Sequence, residues 1–176
     1  MWRLSRTQLL SRHVLEIDGR AVGSVTLFSC FVLRDGHSNR RVSRVNVPGL
    51  DGLEAWSGTR PEPFTPIIDR GEAARFIFTP CVGEDFNGAG FRYFSSYVSI
   101  AERAAFALDP ARTAATHTLE RTVTYHGNMD VGDTAEVVTQ VRPNAPGVWR
   151  LDAQLRRAMD GAVLAEITTV KLLATH

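Results

Sequence analysis

The 176-residue sequence has little cysteine, a single lysine and no long apolar stretch. Its two cysteines, Cys30 and Cys81, are too few for a disulfide framework, and no Cys-x-x-Cys pair or histidine cluster has the spacing of metal ligands. No run of about 18 apolar residues is present, and the N-terminal stretch lacks the continuous apolar segment of a signal peptide. We therefore expect a cytoplasmic chain with no metal site and no membrane span.

An excess of charge of one sign is also missing. The 20 lysines and arginines nearly balance the 19 aspartates and glutamates, and the arginines are scattered among the acidic residues. Proteins that bind nucleic acid usually concentrate their basic residues on one face or in runs. We therefore expect no nucleic-acid partner, and the length fits one globular domain or one and a half small ones.

The C-terminal third predicts a β-sheet. From His117 onward, short runs with period-two alternation are separated by Gly-Asp, Asn-Ala-Pro-Gly and Asp-Gly turns, which predicts four strands in an antiparallel meander. The Asp160-Gly161 pair predicts a type I′ hairpin turn. Residues 75–79 predict a further strand that ends at Pro80. Between these strands, a helix that ends at Asp109-Pro110 is predicted by apolar residues at helical spacing, namely Tyr97, Ile100, Ala101, Ala104 and Leu108.

An internal repeat suggests how the chain is divided. Residues 18–26 align without a gap on residues 160–168, and both segments read as a hairpin turn followed by a long strand. We interpret residues 1–34 as the terminal hairpin of a partial first domain and residues 75–176 as a complete domain. Residues 35–74, rich in Gly, Pro and charge, are interpreted as a linker between them.

One strand, one helix and then a run of strands resembles the hotdog fold, an α+β arrangement in which an antiparallel sheet wraps around a central helix. The entry to the helix, Asp85-Phe86-Asn87-Gly88-Ala89-Gly90, resembles that of the hydroxybenzoyl-CoA thioesterase branch of hotdog enzymes. Together with Pro80-Cys81 and Tyr93-Phe94, it is similar to double-hotdog biosynthetic proteins related to the leinamycin acyltransferase/decarboxylase. This resemblance implies a partial hotdog repeat before the complete one.

The resemblance also implies a chemistry. It implies acyl transfer and decarboxylation of a carboxyacyl thioester, through a tyrosine intermediate, in polyketide or related secondary metabolism. The substrate would be an acyl-CoA or an acyl carrier protein, and no separate cofactor is expected. In the thioesterase branch, the position of Asn87 holds an aspartate that acts as nucleophile or general base. An amide does neither at neutral pH, although it can orient a carbonyl by hydrogen bonding.

The helix N-terminus is the predicted binding site. Its unsatisfied N–H groups and partial positive charge suit a thioester carbonyl oxygen. Gly88 and Gly90 would permit close approach of the acyl group, and the N–H groups of Phe91, Arg92 or Tyr93 are the candidate donors. The alternative is that the glycines only shape the turn.

Four residues are the candidates for catalysis, and each has a structural alternative. Asn87 would orient the carbonyl, and Asp85 would substitute for the missing aspartate or would merely cap the helix. Tyr93 is either the nucleophile or a core or rim aromatic. Glu102 is either a catalytic carboxylate of the helix or a hydrogen-bonded structural acid. Tyr97, farther along the helix, is a candidate substrate contact.

Three functions therefore stay open at this point. The first is an acyltransferase or decarboxylase, the second is a thioesterase in which Asp85 or Glu102 positions water, and the third is a non-catalytic hotdog subunit that supplies an interface to another chain. The unpartnered first hairpin predicts that the chain does not stay a monomer. We expect either a homo-oligomer or a hetero-partner that supplies the missing hotdog half.

Overall fold

The computed structural model describes residues 1–59, 66, 68 and 73–174. The chain divides into two compact units, Met1–Pro61 and Glu62–His176. Among the described residues, no helix has both the length and the apolar character needed to cross a membrane.

The first unit is built from short and long β-strands. Strands β1, β2 and β3 form an antiparallel sheet in that order, and β4 pairs with β5. The elements are β1 (Trp2–Ser5), β2 (Gln8–Ile17), β3 (Arg20–Cys30), β4 (Val32–Arg34), β5 (Val42–Arg44) and a 3₁₀ helix (Leu50–Gly52). Asp18 and Gly19 join β2 to β3, and both have a positive φ, 50° and 73°, as a type I′ turn requires.

The predicted linker has structure of its own in its first part. Within residues 35–59 lie β5 and the 3₁₀ helix. Residues 60–65, 67 and 69–72, which make up most of the rest of this segment, lie outside the described part of the chain. The interpretation of residues 1–34 as part of a first hotdog repeat stays a prediction.

The second unit is a five-stranded antiparallel sheet with a long helix. Its elements are β6 (Ala74–Phe78), α1 (Val82–Asp85), α2 (Phe94–Leu108), α3 (Pro110–Ala114), β7 (Thr116–Tyr125), β8 (Ala135–Ala145), β9 (Val148–Arg157) and β10 (Val163–Leu173). The strand order across the sheet is β6-β8-β9-β10-β7. The predicted strand at 75–79 and the four strands predicted after it are confirmed as β6 to β10.

The predicted meander is wrong for one strand. We expected β7 beside β8, but β7 lies at the far edge and pairs with β10, where Val123 faces Ile167. The nine-residue connection 126–134 between β7 and β8 is not a hairpin, and the N–H of His126 donates to the Leu164 carbonyl of β10. Period-two alternation identifies a strand but does not determine its neighbours, so the sequence pattern could not reveal this crossing.

The predicted type I′ turn at Asp160-Gly161 is also wrong. Only Gly161 has a positive φ, 70°, and its N–H donates to the Arg157 carbonyl at 2.8 Å, which gives a four-residue loop. The side chain of Asp160 explains the difference, because one carboxylate oxygen accepts the Ala162 N–H at 3.1 Å and the other contacts Arg157 Nη1 at 2.6 Å. These contacts stabilise the longer loop.

Helix α2 packs its apolar face against one face of the sheet. Ile100, Ala101 and Ala104 are buried there. Their contacts include Ala135 and Val137 of β8, Ala153 and Leu155 of β9, and Ala165 and Ile167 of β10. The small alanines let the helix approach closely, and full burial of one side chain such as Ile100 contributes about 2–3 kcal/mol. The predicted helix is confirmed, although Leu108 is exposed rather than part of the core.

The Asp109-Pro110 pair ends α2 as predicted. The Asp109 carboxylate then accepts the Arg112 N–H at 2.9 Å and caps α3, which has Pro110 at its first position. At its other end, α2 follows the loop 86–93, which carries the predicted site residues.

Candidate functional site

Asn87 organises the loop that leads into α2. Its side-chain oxygen Oδ1 accepts the N–H groups of Ala89 and Phe91, both at 3.0 Å. Its backbone carbonyl accepts the Gly90 N–H at 2.7 Å, and its own N–H donates to the Phe91 carbonyl at 2.8 Å. Gly90 has a φ of 77°, a conformation that favours glycine. The loop is therefore a compact turn closed by one amide side chain.

The orientation of the Asn87 amide follows from these bonds. Because Oδ1 accepts two backbone N–H groups, the other atom of the amide must be the nitrogen Nδ2. No described residue accepts a hydrogen bond from Nδ2, and the side chain is only half-buried. Asn87 thus holds the loop with its oxygen and leaves two N–H donors for an external acceptor.

The donors predicted at the helix entry are not free. The Phe91 N–H donates to Asn87 Oδ1, and the Arg92 N–H donates to Asn128 Oδ1 at 3.1 Å. The Tyr93 N–H donates to the Asp85 carbonyl at 2.8 Å. This corrects the expected donor set, because each of these three N–H groups already donates a hydrogen bond within the protein.

The free donors lie one position farther along the chain. Helix α2 begins at Phe94, and its N-cap residue Tyr93 makes no side-chain cap. Within the described chain, the N–H groups of Phe94 and Ser95 have no acceptor, and the first turn contains no acidic residue. Both residues are exposed. The helix therefore presents an uncapped, positively polarised end to solvent.

Asp85 is part of the support beneath the loop. It is buried, its Oδ2 accepts the Cys81 N–H at 2.7 Å, and its Oδ1 lies 3.7 Å from Nη2 of Arg92. Its carbonyl accepts the Tyr93 N–H, as described above. The carboxylate is thus held by internal partners, which is the arrangement expected of the structural alternative.

Arg92 is a buried cation rather than a surface contact. Its side chain is fully buried, with Nη1 2.9 Å from Met129 Sδ and the guanidinium 4.8 Å from the ring of Tyr97. Its Nε and Nη2 atoms make no hydrogen bond to described residues. Burial lowers the pKa of Arg92, while Tyr97 and Asp85 raise it. Arginine keeps its proton in proteins, so a positive charge lies beside the first turn of α2.

The three tyrosines near the loop have different environments. Tyr93 is 43% exposed, and its hydroxyl has no partner among the described residues. Tyr125 donates its hydroxyl hydrogen to the Phe94 carbonyl at 3.0 Å. Tyr97 is only 2% exposed and donates to the Gly127 carbonyl at 3.1 Å. The structure therefore corrects the expectation that Tyr97 contacts substrate, because its ring is part of the core.

Glu102 is separated from the loop. It lies eight residues beyond Phe94, which is about 12 Å along the helix axis. Its carboxylate forms ion pairs with Arg121 and Lys171 on β7 and β10. These contacts match the structural alternative for Glu102, and they join the helix to the sheet.

Gly88 completes the predicted set. It is exposed, and a Cβ atom added there would meet nothing within 4 Å. An external group can therefore approach the loop backbone at this residue. The structure brings Asn87, Gly88 and Gly90 together in the loop, and Tyr93 follows at the N-cap of α2.

Sequence reasoning missed Phe94 and Ser95 as donors and did not single out Asn128. Phe94 and Ser95 could have been identified from a helix start at Phe94, because the first N–H groups of a helix have no acceptor within the helix. Asn128 carries no periodic signal. Only the path of the 126–134 connection brings its side chain to Arg92 and Met129.

A cleft lies at the opposite end of α2. Its volume is about 240 Å³, and its lining includes Leu108, Asp109, Arg112 and Gln140. Asp109 is already the cap of α3 and the ion-pair partner of Arg112 at 3.0 Å. The helix N-terminus is the better candidate for chemistry, because its first N–H groups have no acceptor among the described residues.

No protein-family model matches the chain, and no curated protein has a significantly similar sequence. Solved structures do match. A 1,4-dihydroxy-2-naphthoyl-CoA thioesterase from Synechocystis aligns with 57% of this chain and 80% of its own, at 14% identity and a TM-score of 0.52. A Thermus thermophilus thioesterase complexed with coenzyme A and zinc aligns with 57% and 83%, at 15% identity and a TM-score of 0.52.

A predicted thioesterase from Bacillus stearothermophilus aligns with 58% of this chain and 80% of its own, at 16% identity and a TM-score of 0.53. The matched share corresponds to a single sheet-and-helix unit. The prediction of a hotdog fold is thus confirmed. At these identities the likeness concerns the fold.

Proposed function

We propose that this protein is an acyl-thioester-processing enzyme that binds an acyl-CoA or acyl carrier protein at the N-terminus of α2. The observation that carries the proposal is the uncapped helix end, where the N–H groups of the exposed residues Phe94 and Ser95 have no acceptor among the described residues. The Asn87 amide nitrogen belongs to the adjoining loop and also lacks an acceptor in the part of the chain that the structure describes. The fold that this chain shares with thioesterases of known structure supports the substrate class.

The chemistry rests on stabilising negative charge on the thioester oxygen. Backbone N–H groups at a helix terminus act as an oxyanion hole, and loss of one such donor typically slows turnover by about 100-fold to 1000-fold. The buried charge of Arg92, beside the first turn, adds to the positive potential there. The substrate's own phosphopantetheine thioester is the only further group that this chemistry needs.

The reaction that we propose is acyl transfer, decarboxylation or both, in polyketide or related secondary metabolism. In decarboxylation the bond to the substrate carboxylate breaks, carbon dioxide leaves, and the electron pair forms an enolate whose oxygen the N–H groups stabilise. The enolate carbon then takes a proton from water. Asn87 supports this reaction, because an amide lacks the negative charge that would repel the substrate carboxylate.

Acyl transfer would use Tyr93. Its phenolic oxygen would attack the thioester carbon, the carbon–sulfur bond would break, and the thiol would leave with the phenol proton. A hydroxyl or thiol acceptor would then take the acyl group and return the proton to Tyr93. Tyr93 is exposed at the helix N-cap, and its hydroxyl has no partner among the described residues, which supports this role.

A thioesterase is the second candidate, because the similar structures are those of a thioesterase and a predicted thioesterase. It would require Asp85 or Glu102 to position water. The internal partners of Asp85 and the ion pairs of Glu102 do not favour this role. A non-catalytic hotdog subunit is the third candidate, in which Asn87 would serve only to close its loop.

We also propose a cytoplasmic location for the protein. Coenzyme A and carrier-protein substrates belong to that compartment, and Cys30 and Cys81 are free thiols.

Phe94 offers a direct test of the helix-end proposal. Replacing it by proline removes one free N–H, and proline fits the first helical position. The preceding residue, Tyr93, already has the extended conformation that proline favours, with φ −61° and ψ 136°. We expect Phe94→Pro to fold with unchanged stability and to lose about 100-fold in turnover of malonyl-type or methylmalonyl-type thioesters.

Phe94→Ala is the matched control, because it removes the same side chain and keeps the N–H. It should stay within about threefold of the wild type, since the oxyanion donor is intact. Carbon dioxide, free acid and protein-bound acyl groups are measured in parallel. Equal activity of the proline and alanine variants would show that the reaction does not use the N–H group of Phe94 and would contradict the helix-end proposal.

A further inference from the structure

The burial of Arg92 costs stability that an uncharged side chain would not cost. The side chain is fully buried, yet its Nε and Nη2 atoms have no hydrogen-bond acceptor among the described residues. Its Nη1 donates to the thioether sulfur of Met129 at 2.9 Å, and such a sulfur is a weak acceptor. Buried donors without good acceptors are destabilising, and arginine keeps its charge when it is buried. Proteins typically keep so costly a side chain for a functional reason.

Asp85 supplies the counter-charge of Arg92, but it is fixed at a different helix. Its Oδ1 lies 3.7 Å from Arg92 Nη2, which is too far for a hydrogen bond. Its Oδ2 accepts the Cys81 N–H at 2.7 Å, at the N-cap of α1. The guanidinium of Arg92 instead packs 4.8 Å from the ring centre of Tyr97, at the end of the first turn of α2. The positive end of this ion pair is therefore the end that contacts α2.

The guanidinium thus adds positive charge to a helix terminus that is itself positively polarised. The N–H groups of Phe94 and Ser95 have no acceptor in the described part of the chain, and the first turn holds no acidic residue. The loop before it is closed by the uncharged side chain of Asn87. Like charges placed together are unfavourable until an opposite charge joins them. An anionic group at this helix end is therefore attracted by both the N–H groups and Arg92.

We propose that Arg92 selects thioesters whose acyl group carries a carboxylate. Because the guanidinium is buried, it acts on the substrate through its electric field rather than through a hydrogen bond, and such a field is weakly screened in the protein interior. In a malonyl-type thioester the carboxylate lies one carbon away from the thioester carbonyl, so the helix end that binds the carbonyl also receives the carboxylate. This inference rests on the proposed function and names the residue that distinguishes carboxyacyl from plain acyl substrates.

The test compares two ligands of nearly equal size, the amide analogues of malonyl-CoA and propionyl-CoA. Nitrogen replaces the thioester sulfur in both, which suppresses hydrolysis and acyl transfer, and the two differ by a carboxylate against a methyl group. Isothermal titration calorimetry gives both dissociation constants. We expect the wild type to bind the malonyl analogue more tightly than the propionyl analogue by about tenfold or more.

Two variants separate the charge of Arg92 from its packing. The double variant Asp85→Asn/Arg92→Met removes both members of the ion pair, so neither is left as an unpaired buried charge, and Asn keeps an acceptor for the Cys81 N–H. It should be at least as stable as the wild type in denaturant unfolding, and its preference for the malonyl analogue should fall below about threefold. Arg92→Lys keeps the charge, and its preference should stay close to that of the wild type.

The outcomes separate this inference from the proposed function. An unchanged preference in the double variant would show that the charge of Arg92 does not select the substrate. Equal weakening of both analogues would show that the ion pair only shapes the loop. Either result overturns the role of Arg92 and leaves thioester binding at the helix end in place, whereas a wild type that binds neither analogue overturns both. Arg92→Gln, which removes the charge alone, gives the same comparison if the double variant does not fold.

Discussion

At the scale of single residues, Asn87 combines two functions that an aspartate could not combine. Its Oδ1 holds the loop through the N–H groups of Ala89 and Phe91, and its Nδ2 is left as a donor. A carboxylate would accept the same two hydrogen bonds but would offer no donor and would carry a negative charge. The residue that closes the loop therefore also determines whether a negatively charged substrate group is repelled at the site.

Tyr97 makes the stability of the protein depend on alkaline pH. Burial raises the pKa of Tyr97 to about 12, with Arg92 acting in the opposite direction. Between pH 10 and 12 the unfolded chain loses this proton while the folded chain keeps it, so the free energy of unfolding must fall as the pH rises. The slope for this group approaches about 1.4 kcal/mol per pH unit.

Urea unfolding between pH 9 and 11.5 measures that slope. Tyr97→Phe should be less stable than the wild type near pH 9 because the bond to Gly127 is lost, but its decline with pH should be shallower, so the difference should shrink as the pH rises. Burial also raises the pKa of Tyr125, to about 12, although this residue is 44% exposed and should contribute less. Identical slopes for wild type and Tyr97→Phe would show that the burial of Tyr97 does not cause the loss of stability at alkaline pH.

The sequence alone could identify the loop but not its donors. Asn, two glycines and a following apolar helix are local features, and they correctly located Asn87, Gly88 and Gly90 in one turn. Whether an N–H is free depends on distant partners. The Arg92 N–H donates to Asn128, and no pattern in the sequence indicates that residue 128 lies beside residue 92.

At the scale of elements, Gly88 and Gly90 have separable roles in the loop. Gly90 has a φ of 77°, so Gly90→Ala should lower the free energy of unfolding by about 1–2 kcal/mol. Gly88 has open space at its Cβ position, so Gly88→Ala should leave stability within about 0.5 kcal/mol. If substrate approaches the backbone there, Gly88→Ala should still reduce turnover. Denaturant unfolding and the thioester assay on both variants separate the two effects, and a destabilised Gly88→Ala would contradict the assignment.

The sequence predicted the helix and the strands of the second unit, but it did not predict how the strands are ordered in the sheet. Alternation and helical spacing identified β6 to β10 and α2, because each element needs an apolar face toward the core. The position of β7 beside β10 requires the β7–β8 connection to cross the sheet, and such a connection has no periodic pattern in the sequence. The Asp160-Gly161 loop depends on the contact of Asp160 with Arg157 from the preceding strand.

At the scale of the whole molecule, the two units differ in how completely their hairpins are covered. Strand β10 is paired on both edges and lies under α2, whereas β3 is paired on one edge among the described strands. Amides of residues 20–27 in the free chain should therefore exchange at least tenfold faster than those of residues 163–170. Hydrogen exchange with mass spectrometry measures both peptides in one experiment. Equal protection would mean that the first hairpin is already covered.

Asn87→Asp is the sharpest test of whether thioester chemistry occurs at the loop before α2. The variant should fold normally, because Asp accepts the same two backbone N–H groups. Its activity is measured on malonyl-type thioesters and on simple acyl-CoAs, with carbon dioxide, protein-bound acyl groups and free acid quantified separately. The free energy of unfolding is measured on the same preparation.

We expect Asn87→Asp to change the activities on the two substrate classes in opposite directions. The new carboxylate should repel a substrate carboxylate or enolate, so decarboxylation or acyl transfer should fall by tenfold or more, equivalent to about 1.4 kcal/mol in the barrier. Acting as a base for water, it should raise hydrolysis of simple acyl-CoAs. A folded Asn87→Asp variant with unchanged activity on both classes would exclude thioester chemistry at this loop and leave Asn87 as a structural residue of the turn.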